Sequence, residues 1–168
     1  RLMREGRLVS DGEDVCNPLQ RCMHLELSED AQVRRLRREQ PGLAACVDRV
    51  RALPQQLCDE MGLRLRVPQT MMLAAYPQGA HYRRHLDSYN GEDIPRLVTV
   101  LLYLAWEPAV GGELRLHLSS GVRDVEPLPA RLVVFMSQEV EHEVLLSQGD
   151  RYALTLWIWD EKRDLQGR

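Results

Sequence analysis

Leu97-Val98-Thr99-Val100-Leu101-Leu102-Tyr103-Leu104 carries no charge and is dense in aliphatic and β-branched side chains. A run this short, closed on both sides by turn-forming residues, reads as a buried strand. Comparable runs follow the same pattern at 71–76, 132–136 and 152–159. Between them stand Pro77-Gln78-Gly79, Asn90-Gly91, Gly111-Gly112, Pro127-Leu128-Pro129 and Gln148-Gly149-Asp150, all turn chemistry. Residues 113–118 alternate, with Glu113, Arg115 and His117 on one face and Leu114, Leu116 and Leu118 on the other. Strands at regular spacing without intervening helices predict a sandwich or barrel over residues 67–160.

Upstream the periodicity changes. Ser28-Glu29-Asp30 offers an N-cap and an acidic first turn for a helix through the arginines at 34–38. Pro41-Gly42 is expected to break it. Leu43, Val47, Val50, Leu53, Leu57 and Met61 then form one apolar helical face, with a bend expected at Pro54 and a stop at Gly62. The arginine cluster reads as a solvated helix face. The fold class is therefore α+β, with helices over 28–66 packed on a β-core and an extended piece before them.

Composition sets the outer bounds. With 168 residues, 44% hydrophobic and 28% charged, the chain suits one domain with a real core and excludes wholesale disorder. No apolar run approaches the roughly 20 residues that cross a bilayer. Nothing resembling a signal peptide opens the sequence at Arg1, and a net charge of −3 gives no electrostatic reason to expect nucleic acid. Of 22 Lys and Arg residues only Lys162 is lysine, so a single well-placed arginine is weak evidence alone. Cys16, Cys22, Cys46 and Cys58 show no Cys-x-x-Cys spacing, which favours reduced thiols in a cytosol-like compartment. A Cys16–Cys22 bridge is the open alternative.

The chemistry centres on His81-Tyr82-Arg83-Arg84-His85-Leu86-Asp87. On a strand, residues two apart point the same way, so His85 and Asp87 are expected to aim at one point. His-x-Asp alone is common. His142, in the segment Glu139-Val140-Glu141-His142-Glu143-Val144, supplies a distant third donor in a stretch that reads as too acidic for buried core. Two histidines and one carboxylate match the facial triad of non-haem Fe(II) sites, which leaves three coordination positions open. A structural zinc site would close with four ligands, usually including cysteine, and no cysteine lies in this half. In Gly149-Asp150-Arg151-Tyr152-Ala153-Leu154-Thr155-Leu156-Trp157, period two puts Arg151, Ala153, Thr155 and Trp157 on one face. An inward Arg151 needs an anion, and a guanidinium fork suits a carboxylate.

The order and spacing of these stretches resemble the iron- and 2-oxoglutarate-dependent oxygenases of the prolyl 4-hydroxylase type. Within these they are most similar to the hydroxylases that modify hypoxia-inducible factor and to bacterial relatives acting on elongation factor Tu. The resemblance rests on residues 72–77 and 82–87, on Val98-Thr99 with Tyr103-Leu104, and on Gly111-Gly112-Glu113-Leu114-Arg115. It continues through His142-Glu143-Val144 to Trp157, and Gly6-Arg7-Leu8-Val9-Ser10 resembles the start of that family's mobile hairpin. It implies a double-stranded β-helix (jelly roll) occupying one domain over 1–168, with a strand-loop-strand lid at 1–27. It implies Fe(II) on His85, Asp87 and His142, with 2-oxoglutarate and O2 as co-substrates and ascorbate as a stimulant. Arg151 would pair with the far carboxylate of 2-oxoglutarate and Tyr103 would donate to it. Met72, Tyr76, Leu114, Val144, Thr155 and Trp157 would line the pocket. The implied reaction is prolyl 4-hydroxylation of a protein or peptide with release of succinate and CO2, by a monomer in the cytoplasm (or a nucleus), without nucleic acid or membrane as partner.

Plain readings stand beside these. The region 7–27, which would choose the substrate, is short and carries Cys16, Asn17-Pro18 and Cys22 where a longer polar loop is expected. Tyr76 and Tyr103 also read as packing residues, Trp157 and Trp159 as core aromatics, His24 and His117 as structural or exposed, and His81 as a surface histidine near the cleft. The glutamates around His142 read as solvating the cleft rim. Other functions remain open at this point: the same cofactor chemistry on another side chain or small molecule, a non-catalytic jelly-roll binding module, and a zinc hydrolase using His81, His85 and His142.

Overall fold

The computed structural model describes residues 9–10, 21–26, 31–66, 68–89, 91, 95–104 and 110–161. Two antiparallel sheets carry the architecture. The larger contains β1 (Val9–Ser10), β2 (Arg21–Glu26), β3 (Leu65–Arg66), β4 (Thr70–Tyr76), β6 (Arg96–Leu104), β9 (Leu132–Met136) and β11 (Arg151–Asp160). Its order is β1-β2-β4-β11-β6-β9, with β3 on β11. The smaller contains β5 (Tyr82–His85), β7 (Leu114–Leu118), β8 (Gly121–Val125) and β10 (Glu141–Val144), in the order β5-β10-β7-β8. Apart from the β1–β2 and β7–β8 pairs, neighbouring strands are distant in sequence, as in a jelly roll.

The central strands β4, β6 and β11 of the larger sheet are largely buried on both faces, and period two divides their side chains. Met71, Leu73, Val98, Val100, Leu102, Leu154, Leu156 and Ile158 form one apolar cluster with Val47 and Val50. Ala74 and Tyr76 instead join Leu114, Leu116, Phe135 and Val144 between the two sheets. Val50, Leu154, Leu156 and Ile158 are each 0% exposed. Complete burial of such a side chain is worth about 1.5–3 kcal/mol, which makes the helix-covered face the chief source of stability.

Two helices, α1 (Ala31–Glu39) and α2 (Pro41–Met61), supply that cover. Gly62 ends α2 in the left-handed conformation expected of it, its N–H bonded to the Cys58 carbonyl. Pro41-Gly42 is not a gap between helices. Gln40 alone separates them, and Pro41 opens α2, where its missing N–H costs nothing. The helix also runs on through Pro54, which is buried. Its inward face is Ala44, Val47, Val50 and Pro54, flanked by half-buried Leu43, Leu53 and Leu57, whereas Met61 ends the helix 63% exposed. Arg34, Arg35, Arg37 and Arg38 are exposed, with Arg35 bridging Glu39 and Arg37 bridging Asp48, so the cluster is the solvated face it reads as.

Three sequence expectations change. Asp87 is not on a strand: β5 stops at His85, and Asp87 lies in the bend that follows. The acidic segment around His142 is a strand inside the smaller sheet, with His142 and Val144 buried and Glu141 and Glu143 turned outward. β8 is an additional strand, hidden in sequence because Gly-Val-Arg-Asp-Val has no apolar run. The Ser28 cap, most of the expected lid and Cys16 lie outside the described residues. Within that region β1 pairs with β2, and β2 with β4.

Candidate active site

The cleft between the sheets gathers the chemical groups. Sheet register brings His142 of β10 directly opposite His85 of β5, with ring centroids 4.3 Å apart. Asp87 reaches the same point from its bend. His85 Nε2 is 3.5 Å from Asp87 Oδ1, and His142 Nε2 is 3.7 Å from Asp87 Oδ2. One donor atom from each of the three residues lies within 4.8 Å of the others, and this is the metal-type cluster found among the described residues.

The backbone fixes how both rings are protonated. His85 Nδ1 lies 2.8 Å from the Arg83 carbonyl, and His142 Nδ1 lies 3.1 Å from the Val140 carbonyl. A carbonyl only accepts, so in each ring Nδ1 carries the proton and donates. Nε2 is then the ring nitrogen of each histidine that faces the shared centre, the atom a metal would meet. Burial pushes the His142 pKa down, and the nearby His85 adds to this against the pull of Asp87, keeping the ring neutral. Burial alone would raise Asp87. The two neighbouring imidazoles and the Thr99 hydroxyl outweigh it, so the carboxyl sits below its ordinary range and stays ionised.

Arg151 opens β11 opposite Tyr76 and is 1% exposed. Its guanidinium lies over the rings of Tyr76 and Tyr103, at 4.7 and 4.9 Å from their centroids, and Nη2 donates to the Tyr103 hydroxyl at 3.3 Å. Nε has no partner, and no carboxylate among the described residues pairs with this buried charge. Such a cation is costly unless an anion completes it. Gly112 makes room for the arrangement: at φ 70°, a Cβ there would stand 2.4 Å from Ser147 Oγ and 3.1 Å from Arg151 Cδ. Burial pushes the neighbouring Tyr76 hydroxyl up to about 12, so it remains protonated.

The cleft has a volume of about 760 Å3, and Met72, Tyr76, Leu114, Val144, Thr155 and Trp157 all line it together with His85, Asp87, His142 and Arg151. Tyr103 is 1% exposed, and its hydroxyl accepts from Arg151. Trp157 is a cleft residue rather than a core aromatic, while half-buried Trp159 stacks under Arg66. His81 is exposed and outside the cluster, so the three-histidine zinc arrangement does not form. His24 is exposed at the cleft, and His117 meets Glu143 at 3.0 Å. Glu141 is engaged by Arg84, so neither glutamate beside His142 is poised as a base.

Four contributors carry no site role in the sequence reading. Phe135, the only phenylalanine, packs edge-on against His142 at 4.7 Å. Arg96 lies 4.4 Å over the Trp157 ring, and its Nη1 donates to the Asp87 carbonyl. Thr99 donates to Asp87 Oδ2 at 2.6 Å, and Ser137 stands 2.8 Å behind Thr99. Thr99 entered the sequence reading only within the Val98-Thr99 stretch that carries the family resemblance, with no role assigned to it.

Two imidazoles and an ionised carboxylate, open to a cleft with a buried guanidinium that no carboxylate among the described residues pairs, suit a divalent iron beside a chelating carboxylic acid. Residues 71–159 match the family model described as the 2OG-Fe(II) oxygenase superfamily, and the chain belongs to that superfamily. Its members work with Fe(II), 2-oxoglutarate and O2. Prolyl hydroxylase EGLN3 of Mus musculus is 38% identical over 104 residues, which are 58% of this chain and 43% of the relative. The chain thus spans less than half the length of that curated relative. A Pseudomonas putida prolyl-4-hydroxylase structure superposes with a TM-score of 0.72 at 33% identity, covering 96% of this chain and 81% of the other. A Trichoplax adhaerens prolyl hydroxylase, solved with a hypoxia inducible factor peptide fragment, gives 0.65 at 28% identity, covering 89% and 66%.

Proposed function

We propose that this chain is a 2-oxoglutarate-dependent dioxygenase that hydroxylates prolyl residues at C4 in a protein or peptide. The observation that carries this reading is Arg151, buried, unpaired and facing the same cleft as the three convergent donors. Likeness to prolyl hydroxylases supports the choice of substrate. Exposed His24, Arg83 and Tyr89 at the cleft mouth support a peptide, since they leave room for a chain to lie across it.

In this reading His85, Asp87 and His142 hold Fe(II), which when bound supplies the capacity to activate O2 at the expense of 2-oxoglutarate. The overall balance is one 2-oxoglutarate, one O2 and one prolyl C–H giving succinate, CO2 and one hydroxyprolyl residue. Arg151 binds the far carboxylate of the co-substrate through its unspent donors. Tyr103 accepts from Arg151, which leaves its own hydroxyl proton for the same anion. The Tyr76 ring lies against the guanidinium, and Thr155 offers a further hydroxyl on the cleft wall. Met72, Leu114, Val144 and Phe135 give an apolar wall that excludes water from the reacting centre.

The test is co-substrate turnover with proline-containing peptides, scored as succinate release and as gain of one oxygen in the peptide. Wild type should give both, with hydroxylation mapped to proline, and His142→Ala should give neither. Succinate release without a modified peptide would move the substrate elsewhere. Turnover unchanged in His142→Ala would overturn the mechanism.

A further inference from the structure

Asp87 differs from the two histidines in lying beyond the end of its strand, so its carboxylate must be fixed from outside. The support comes from β6 and from the turn after β9. Thr99 Oγ1 donates to Asp87 Oδ2 at 2.6 Å, and Thr99 Oγ1 and Ser137 Oγ are 2.8 Å apart. An ionised carboxylate only accepts, so the single hydroxyl proton of Thr99 is committed to Asp87. Ser137 must then donate into Thr99, and the chain of donation runs Ser137 to Thr99 to Asp87. Thr99 is 1% exposed and Ser137 0%, so water does not compete for either hydroxyl. Arg96 holds the bend itself: its N–H donates to Ser88 Oγ and its Nη1 to the Asp87 carbonyl, both at 3.1 Å.

We propose that Thr99 and Ser137 are positioning residues that decide which oxygen of Asp87 a divalent cation meets. Thr99 occupies Oδ2 and leaves Oδ1, which faces His85, as the donor. Attachment through one oxygen has a consequence for chemistry. A carboxylate binding through both oxygens would take a further coordination position, and a chelating co-substrate together with O2 needs three positions open. The relay keeps them open, and Ser137 strengthens it by polarising the Thr99 hydroxyl.

The proposal rests on the reading of His85, Asp87 and His142 as the metal site, and Co(II) distinguishes the two. Metal-free protein is titrated with Co(II), whose visible absorption reports both affinity and coordination number. Thr99→Val keeps the volume and removes the donor. It should weaken Co(II) binding about 10- to 100-fold, the usual cost of losing a hydrogen-bond partner of a ligand, and should alter the band shape. Thr99→Ser should restore the wild-type titration and spectrum, and Ser137→Ala should fall between. Wild-type affinity and spectrum in Thr99→Val, or Thr99→Ser as impaired as Thr99→Val, would overturn the relay while leaving the metal site intact. If Thr99→Val does not fold, wild-type behaviour of Ser137→Ala overturns the relay as proposed. A wild-type protein that takes up no Co(II), or takes it up equally after His142→Ala, overturns the metal-site reading and this inference with it.

Discussion

The two faces of β6 and β11 follow opposite rules although they share the same strands. Toward the helices, Val98, Val100, Leu102, Leu154, Leu156 and Ile158 are apolar without exception. Toward the cleft, alternate positions of the same strands carry Thr99, Arg151, Thr155 and Trp157 interleaved with Leu101 and Ala153. One face is satisfied within the chain. The other holds a charge and two buried donors, Arg151 Nε and Trp157 Nε1, that the described residues leave unmatched. Stability and activity are therefore separated by a single residue step along one strand.

Substitutions can break that separation or sharpen it. The largest effect is expected from His142→Ala on the cleft side. Losing a metal ligand removes several kcal/mol of catalytic stabilisation, so turnover should fall by about three orders of magnitude. The thermal midpoint of the metal-free protein should change little. On the helix side, Leu156→Ala should cost about 2–5 kcal/mol in denaturant unfolding, while the folded fraction keeps its affinity for 2-oxoglutarate. A large loss of co-substrate binding there would show the faces to be coupled. Arg151→Met sharpens the contrast within one residue. It should raise the 2-oxoglutarate KM by about 10- to 100-fold, the worth of a charge-assisted anchor of about 1.5–3 kcal/mol. Unfolding measurements should find it no less stable than wild type, because an uncompensated buried charge has gone. The smallest effect belongs to Arg84→Ala on the outer side of the small sheet. Its partner Glu141 is also largely exposed, and such pairs contribute less than about 1 kcal/mol.

The same division explains what the sequence made legible. Local periodicity was enough to find β4, β6, β9 and β11, because their apolar runs are contiguous. The three donors were legible because His85 and Asp87 are close together and His142 follows a clear strand. Geometry arising between distant segments was not. Asp87 was read by strand parity, yet β5 ends two residues earlier and the carboxylate is placed by Thr99, twelve residues on. Ser137 acts through Thr99 across a sequence separation of 38 residues, and no local pattern encodes that pairing. The inward turn of His142 was obscured by its glutamates, whose outward alternation emerges only once β10 pairs with β7 and β5. The contact of the buried Tyr103 hydroxyl with Arg151, 48 residues on, is likewise made only by the pairing of β6 with β11.

The most direct test is anaerobic equilibrium binding of 2-oxoglutarate and of its analogue lacking the far carboxylate to the Fe(II)-loaded protein. Wild type should bind 2-oxoglutarate at least about tenfold more tightly, one charge-assisted anchor's worth. That preference should vanish in Arg151→Met while iron is retained, and iron itself should be lost in His142→Ala. Equal affinity for the two acids in wild type, or full iron occupancy without His142, would contradict the account.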